Sequence, residues 1–231
     1  LTAKSLGVDL LVHYGHSCLV PIDQMQGLKV LYIFVDIKID PLHFIETIIF
    51  NFPEHTKLGM VSTVQFLSTL HAVSIELEIM GYEVVLPQSK PLSAGEILGC
   101  TAPVLSDIDA IIYLGDGRFH LEAIMIANPK IQAYRYDPYE KEFSREYYEY
   151  EKMNSIRQEL VIESSKGEKF GLILGTLGRQ GNINVVHRLI ESLEIKNKKV
   201  VVILLSEIFP KKLDLFFQLD AFVQTACPRL S

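Results

Sequence analysis

Three cysteines, Cys18, Cys100 and Cys227, are the residues of this chain best suited to chemistry, because thiolates are soft ligands for iron–sulfur clusters and zinc. They are spread over the whole length with no C-x-x-C spacing, so local sequence alone does not define a metal site. An odd, dispersed set does not form the disulfide framework of a small secreted domain. Taken singly, each would be a small buried hydrophobe. Taken as a converging trio, they suit a 4Fe-4S cluster, in which three ligands leave one iron open to substrate. A zinc site completed by His13, His16 or His120 is the alternative.

Other polar residues cluster where ligands collect. Gly115-Asp-Gly-Arg-Phe-His120 brings Asp116, Arg118 and His120 together directly after an apolar run, and such groups are costly there unless solvated or used. Gly175-Thr-Leu-Gly-Arg-Gln-Gly181 follows another apolar run and precedes a helix, a setting in which backbone N–H groups cradle an anion. It lacks the order of a dinucleotide fingerprint and the Lys-Ser/Thr of a P-loop, so a tight glycine turn is an equal reading. His16 beside Cys18 and Arg229 beside Cys227 could tune a cluster or grip a carboxylate. The aromatic, charged run Tyr134–Tyr150 reads as a solvated face with helix-start residues.

Short runs rich in Val, Ile and Leu alternate with helical stretches, the pattern of a parallel sheet flanked by helices, so the fold class is α/β. Strands are expected at Val30–Val35, Leu58–Val61, Val84–Leu86, Ala110–Leu114, Phe170–Leu174, Val200–Leu205 and Ala221–Val223. Helices are expected at Leu42–Phe50, Phe66–Met80, Arg145–Glu163 and Val185–Leu193, with Gly81 as a helix C-terminal cap. The 231 residues carry 22 basic and 28 acidic side chains, a net charge of −6 that disfavours nucleic acid and anionic membranes. No run approaches the roughly 18 apolar residues of a membrane helix, and no signal peptide opens the chain, so a cytosolic protein is expected.

The sequence also repeats itself. Asp9-Leu-Leu-Val-His-Tyr-Gly, Asp109-Ala-Ile-Ile-Tyr-Leu-Gly and Asp220-Ala-Phe-Val-Gln-Thr-Ala each read as an Asp, a short buried strand and a loop. Lys57-Leu-Gly-Met-Val resembles Lys169-Phe-Gly-Leu-Ile, and the offsets to the following Asp agree, 109 − 57 = 52 and 220 − 169 = 51. Cys18 and Cys227 follow their Asp by nine and seven residues, whereas Cys100 precedes Asp109 by nine. The expectation is an internal triplication: three similar domains, each a small, mostly parallel four-stranded sheet with flanking helices, over residues 1–55, 56–166 and 167–231. Extrapolating the offsets puts a first strand near 9 − 52 = −43 and a last one near 220 + 20 = 240, so the chain is expected to be trimmed at both ends.

Six motifs in order then resemble the diphthamide synthesis family in its eukaryotic form: Tyr14-Gly-His-Ser-Cys-Leu-Val-Pro21, Glu96-Ile-Leu-Gly-Cys100, Tyr113-Leu-Gly-Asp-Gly-Arg-Phe-His120, Leu174-Gly-Thr-Leu-Gly-Arg-Gln180, Leu205-Ser-Glu-Ile-Phe-Pro210 and Ala226-Cys-Pro-Arg-Leu-Ser231. The resemblance implies a transferase with three α/β domains, each giving one cysteine to a 4Fe-4S cluster, and the matching residues are Cys18, Cys100 and Cys227. It implies reductive cleavage of S-adenosylmethionine between sulfur and the γ-carbon. The 3-amino-3-carboxypropyl group then passes to C2 of a histidine in elongation factor 2, the first step of diphthamide synthesis, and methylthioadenosine is released. Asp116, His120, Gln180 and Arg229 are the expected contacts to S-adenosylmethionine. Implied partners are a related second subunit in a heterodimer, elongation factor 2 and a small electron-donor protein. A scaffolding subunit that holds a cluster without performing chemistry, and a zinc or nucleotide-binding α/β protein, are the competing readings.

Overall fold

The computed structural model describes residues 2–15, 27–90, 92–176 and 181–226. The described residues fall into two compact units, 2–15 with 27–148 and 149–226.

The first unit opens with a one-turn helix α1 (Thr2–Ser5) and two parallel strands, β1 (Leu10–Gly15) and β2 (Lys29–Phe34), which pair with Leu10 opposite Lys29. Helix α2 (Pro41–Asn51) starts where the Asp40 carboxylate accepts the Leu42 N–H at 3.1 Å, with Pro41 occupying a first-turn position that needs no donor. Strand β3 (Lys57–Ser62), a 3₁₀ turn at Val64–Phe66, α3 (Leu67–Ile79) and β4 (Glu83–Val85) follow. Then come β5 (Ala110–Leu114), α4 (Phe119–Ala127), β6 (Gln132–Asp137) and β7 (Glu142–Glu146). The strand order is β4-β3-β5-β6-β7, parallel except for β7, which runs antiparallel on β6. The buried stripe of α2, Phe44, Ile45 and Ile48, packs with α3 residues Leu70, Val73 and Leu77 against β3 and β5. All five residues of β5 are buried, as expected of a parallel strand covered on both faces. Gly81, at φ +94°, ends α3 as expected: its N–H reaches the Glu78 carbonyl and the Tyr82 N–H the Leu77 carbonyl.

The second unit contains α5 (Tyr150–Ser165), β8 (Lys169–Gly175), α6 (Ile183–Glu194), β9 (Lys199–Leu205), α7 (Pro210–Leu213) and β10 (Ala221–Gln224). Its sheet is parallel, in the order β10-β8-β9. Asn182 caps α6 by accepting the Asn184 N–H at 2.9 Å.

The repeat offsets reappear as strand register. Leu58 faces Ala110 across β3–β5, and Phe170 faces Ala221 across β8–β10. In each pair the repeat aspartate makes the same connection: the Asp109 carboxylate accepts the Lys57 N–H at 2.9 Å, and the Asp220 carboxylate the Lys169 N–H at 2.8 Å.

The parallel α/β class and its flanking helices are as expected, and Ala110–Leu114 is exact. Four expectations need correction. Among the described residues the sheets hold two, five and three strands, so the middle one exceeds the four expected, while the outer two belong to the domains expected to be trimmed. The strand after Asp9 is largely exposed, because β1 has only β2 beside it among the described residues. The helix expected from Arg145 begins at Tyr150, since Arg145 and Glu146 are taken into the ladder of β7 opposite Tyr134 and Ala133. Tyr134–Tyr150 is accordingly no solvated face: it opens with the end of β6, where Tyr136 and Asp137 are buried, and β7 closes the hairpin.

Candidate functional site

Strand order reverses between β3 and β5, and in open α/β sheets ligands collect in the crevice at the carboxyl ends of strands at such a point. Cys100 belongs to that end. A single parallel bridge joins Ser62, the last residue of β3, to Glu96. The Ser62 N–H donates to the Gly95 carbonyl at 2.8 Å, and the Ile97 N–H donates back to the Ser62 carbonyl at 3.0 Å. Ile97 and Leu98 are buried and root the segment, and a turn follows in which the Thr101 hydroxyl accepts the Leu98 N–H at 3.1 Å. Cys100 sits in this turn, half-buried and in no disulfide. The sequence departs here from its own repeat, yet the bridge to Ser62 carries the Cys100 loop to the same end of the sheet.

Asp116 follows β5 at the neighbouring strand end. Its carboxylate faces the buried Gln65 amide at 3.5 Å, and its carbonyl lies 3.5 Å from the Tyr113 hydroxyl. Burial, more than the nearby Asp116 carboxylate, pushes the Tyr113 phenol far above its ordinary value, so it stays protonated and acts as a donor. A Cβ on Gly115 would stand 2.7 Å from that hydroxyl, which explains why the residue between them has no side chain. The end of β6 adds Asp137, whose carboxylate accepts the Tyr139 N–H at 3.0 Å. Burial, then Asp116 and Asp137, raise the Tyr139 phenol. His120 lies in the first turn of α4, half-buried against Phe119. The structure therefore gathers Asp116, Gln65 and Tyr113 where β3 and β5 end, with His120 one helical turn further on. Gln65 and Tyr113 went unread as candidates because their apolar flanks present them as core.

Cys18, Cys227, Gln180, Arg229 and His16 lie outside the described residues. Among the described residues no three His, Cys, Asp or Glu side chains are arranged to hold a metal ion. In the second unit, Gly181 must be glycine, because a Cβ there would stand 2.5 Å from the Gly175 carbonyl oxygen, and the loop then enters α6 at its Asn182 cap.

Residues 1–231, the whole chain, match the family model described as putative diphthamide synthesis protein. The chain belongs to the diphthamide synthesis family. It is 60% identical to 2-(3-amino-3-carboxypropyl)histidine synthase subunit 1 of Nematostella vectensis over 230 residues, 100% of this chain and 49% of that protein. The human subunit 1 is 54% identical, with 100% of this chain and 53% of that protein covered. This family member thus spans about half the length of the curated relatives it matches. Two crystal structures of Dph2 from Pyrococcus horikoshii, one with a 4Fe-4S cluster, share its fold at 26% identity. Their TM-scores are 0.73 and 0.74, and in both cases 99% of this chain and 67% of the neighbour are covered. No helix among the described residues is long and apolar enough to cross a membrane.

Proposed function

We propose that this chain forms part of an iron–sulfur transferase that moves the 3-amino-3-carboxypropyl group of S-adenosylmethionine to C2 of a histidine imidazole in elongation factor 2, releasing methylthioadenosine. The observation that carries the reading is Cys100: a half-buried thiol, fixed in a hydrogen-bonded turn at the carboxyl end of β3, in a chain that matches the diphthamide synthesis family from end to end.

A soft thiolate on a turn rooted by buried Ile97 and Leu98 fits a cluster ligand, because the backbone fixes the sulfur before anything binds. Cys18, Cys100 and Cys227 would hold the 4Fe-4S cluster, one from each of three similar domains at 1–55, 56–166 and 167–231. Held there, the cluster would supply the one-electron reduction that breaks the bond from sulfur to the γ-carbon of S-adenosylmethionine. The chain's own residues orient the substrate. Asp116, held by Gln65 and the Tyr113 phenol, offers an anionic acceptor to the substrate ammonium or ribose hydroxyls. His120, Gln180 and Arg229 would complete the binding set, with the Arg229 guanidinium matched to the substrate carboxylate. A second, related subunit, elongation factor 2 and a small electron-donor protein are the partners this reading requires, in the cytosol.

The test is methylthioadenosine release by anaerobically reconstituted full-length protein with its second subunit. Cys100→Ala is expected to lower bound iron and to abolish release. Release that survives Cys100→Ala together with Cys227→Ala would overturn the catalytic reading in favour of a scaffold, and a colourless protein holding one tight zinc would overturn the cluster.

A further inference from the structure

The polar loop after β5 contains an arginine whose three guanidinium nitrogens are all engaged within the protein. Arg118 Nε donates to the Glu122 carboxylate at 3.2 Å, one turn along α4. One Nη lies 3.1 Å from Glu146 Oε2, and the other donates to the Tyr147 carbonyl at 2.9 Å. Glu146 ends β7, the antiparallel edge strand that breaks the otherwise parallel pattern. Its side chain is only 8% exposed, and its second oxygen is also engaged: Oε1 accepts the Ser144 hydroxyl at 2.7 Å and lies 3.4 Å from Arg135 Nε. Arg135 in turn pairs with Asp137 at 3.2 Å. A continuous chain of charge, 118–146–135–137, therefore links the loop after β5 to both strands of the β6–β7 hairpin.

This arrangement answers what Arg118 is for. Three of its five N–H donors, one on each nitrogen, are committed within the protein, so the guanidinium is held in one orientation and acts through geometry. We propose that Arg118, anchored on Glu146, is a positioning residue that fixes the Gly115–Arg118 loop and the first turn of α4, so that Asp116 and His120 meet a ligand in one orientation. The β6–β7 hairpin is then a brace for the binding loop rather than an incidental extension of the sheet. The inference rests on the proposed S-adenosylmethionine site only for the identity of the ligand.

The experiment compares Arg118→Lys and Glu146→Gln with the unchanged full-length protein, and uses Lys57→Ala as a control. Lys57 pairs with Asp107 in the same unit, away from this loop. Lysine keeps the charge but loses the fork. Hydrogen exchange at residues 116–119 is expected to rise about tenfold in both brace variants and to stay unchanged in the control. The KM for S-adenosylmethionine is expected to rise about tenfold with kcat nearly constant, a split that general destabilisation does not produce. Exchange at 116–119 that matches the unchanged protein in both brace variants overturns the brace, as does a KM within about twofold alongside measurable turnover. If the unchanged protein binds no S-adenosylmethionine, the ligand assignment fails, and hydrogen exchange alone decides the brace.

Discussion

In the first unit β3 and β5 run side by side with Leu58 opposite Ala110, and every residue of β5 is buried. In the second, β8 and β10 repeat that pairing with Phe170 opposite Ala221, yet the adjoining β9 exposes Val201 and Leu204. The shared part is set locally. An aspartate carboxylate pins the first amide of the neighbouring strand in both pairs. Two residues into each of those strands a glycine makes room, Gly59 for Leu105 and Ile108, Gly171 for Leu219 and Phe222. The unshared part is set by what lies on the faces: α2 and α3 supply a core to the first sheet, whereas α6 buries only Val186. One strand frame thus serves two packings, and the loops beyond the strand ends are free to differ in chemistry.

Core truncation should separate the two units most sharply. Ile112→Ala in β5 is expected to cost about 2–5 kcal/mol in urea unfolding, while Leu204→Ala in β9 stays within about 0.5 kcal/mol. Equal losses would show that β9 is as packed as β5. The glycine pair comes next. Gly171→Ala, whose Cβ would stand 2.7 Å from the Phe222 ring, should cost about 1–3 kcal/mol by crowding. Gly59→Ala should fall at the low end of that range, because its nearest contacts are 3.1 and 3.3 Å away and aliphatic.

The smallest effects should appear at opposite ends of the pH scale. The backbone amides of Lys169 and Glu168 hold the Asp220 carboxyl below its ordinary value, so its contribution is complete above about pH 4 and lost as pH falls through the lowered value. Asp220→Asn should flatten the acid limb of a melting-temperature profile and leave the alkaline limb intact. Tyr113 has the reverse sign. Its raised phenol favours folding below about pH 10, and that stability drains away as pH climbs beyond it. Tyr113→Phe should therefore remove part of the alkaline limb and none of the acid one.

Much of the frame was readable in the residues. Ala110–Leu114 and Val200–Leu205 are short, β-branched apolar runs of the kind parallel strands use, and the Lys-to-Asp offsets foretold the register. The hairpin was not readable. Glu142-Phe-Ser-Arg-Glu146 alternates charge in a way that suits a helix surface as well as an edge strand, and only pairing with β6 decides between them. The same holds at the site. Asp116 and Cys100 stood out by type and loop context, whereas Gln65 and Arg118 take their roles from partners 51 and 28 residues away, Asp116 and Glu146. Spacing along the chain carries no trace of such contacts.

Among the described residues the passage from β4 to β5 contains no helix, and the loop bearing Cys100 is tied to the end of β3 by two hydrogen bonds with Ser62. Those bonds require the end of β3 to be in place, and β3 gains its β5 partner only when residues 52 positions apart, such as Leu58 and Ala110, meet. Closing so long a span is entropically slow, while the α2–α3 core can collapse early around β3. The thiol is therefore expected to reach its final position late in folding. If Cys100 ligates a cluster as proposed, iron offered before the sheet closes would meet a cysteine on an unclosed chain, so the connection itself would set the order of assembly, sheet before ligand.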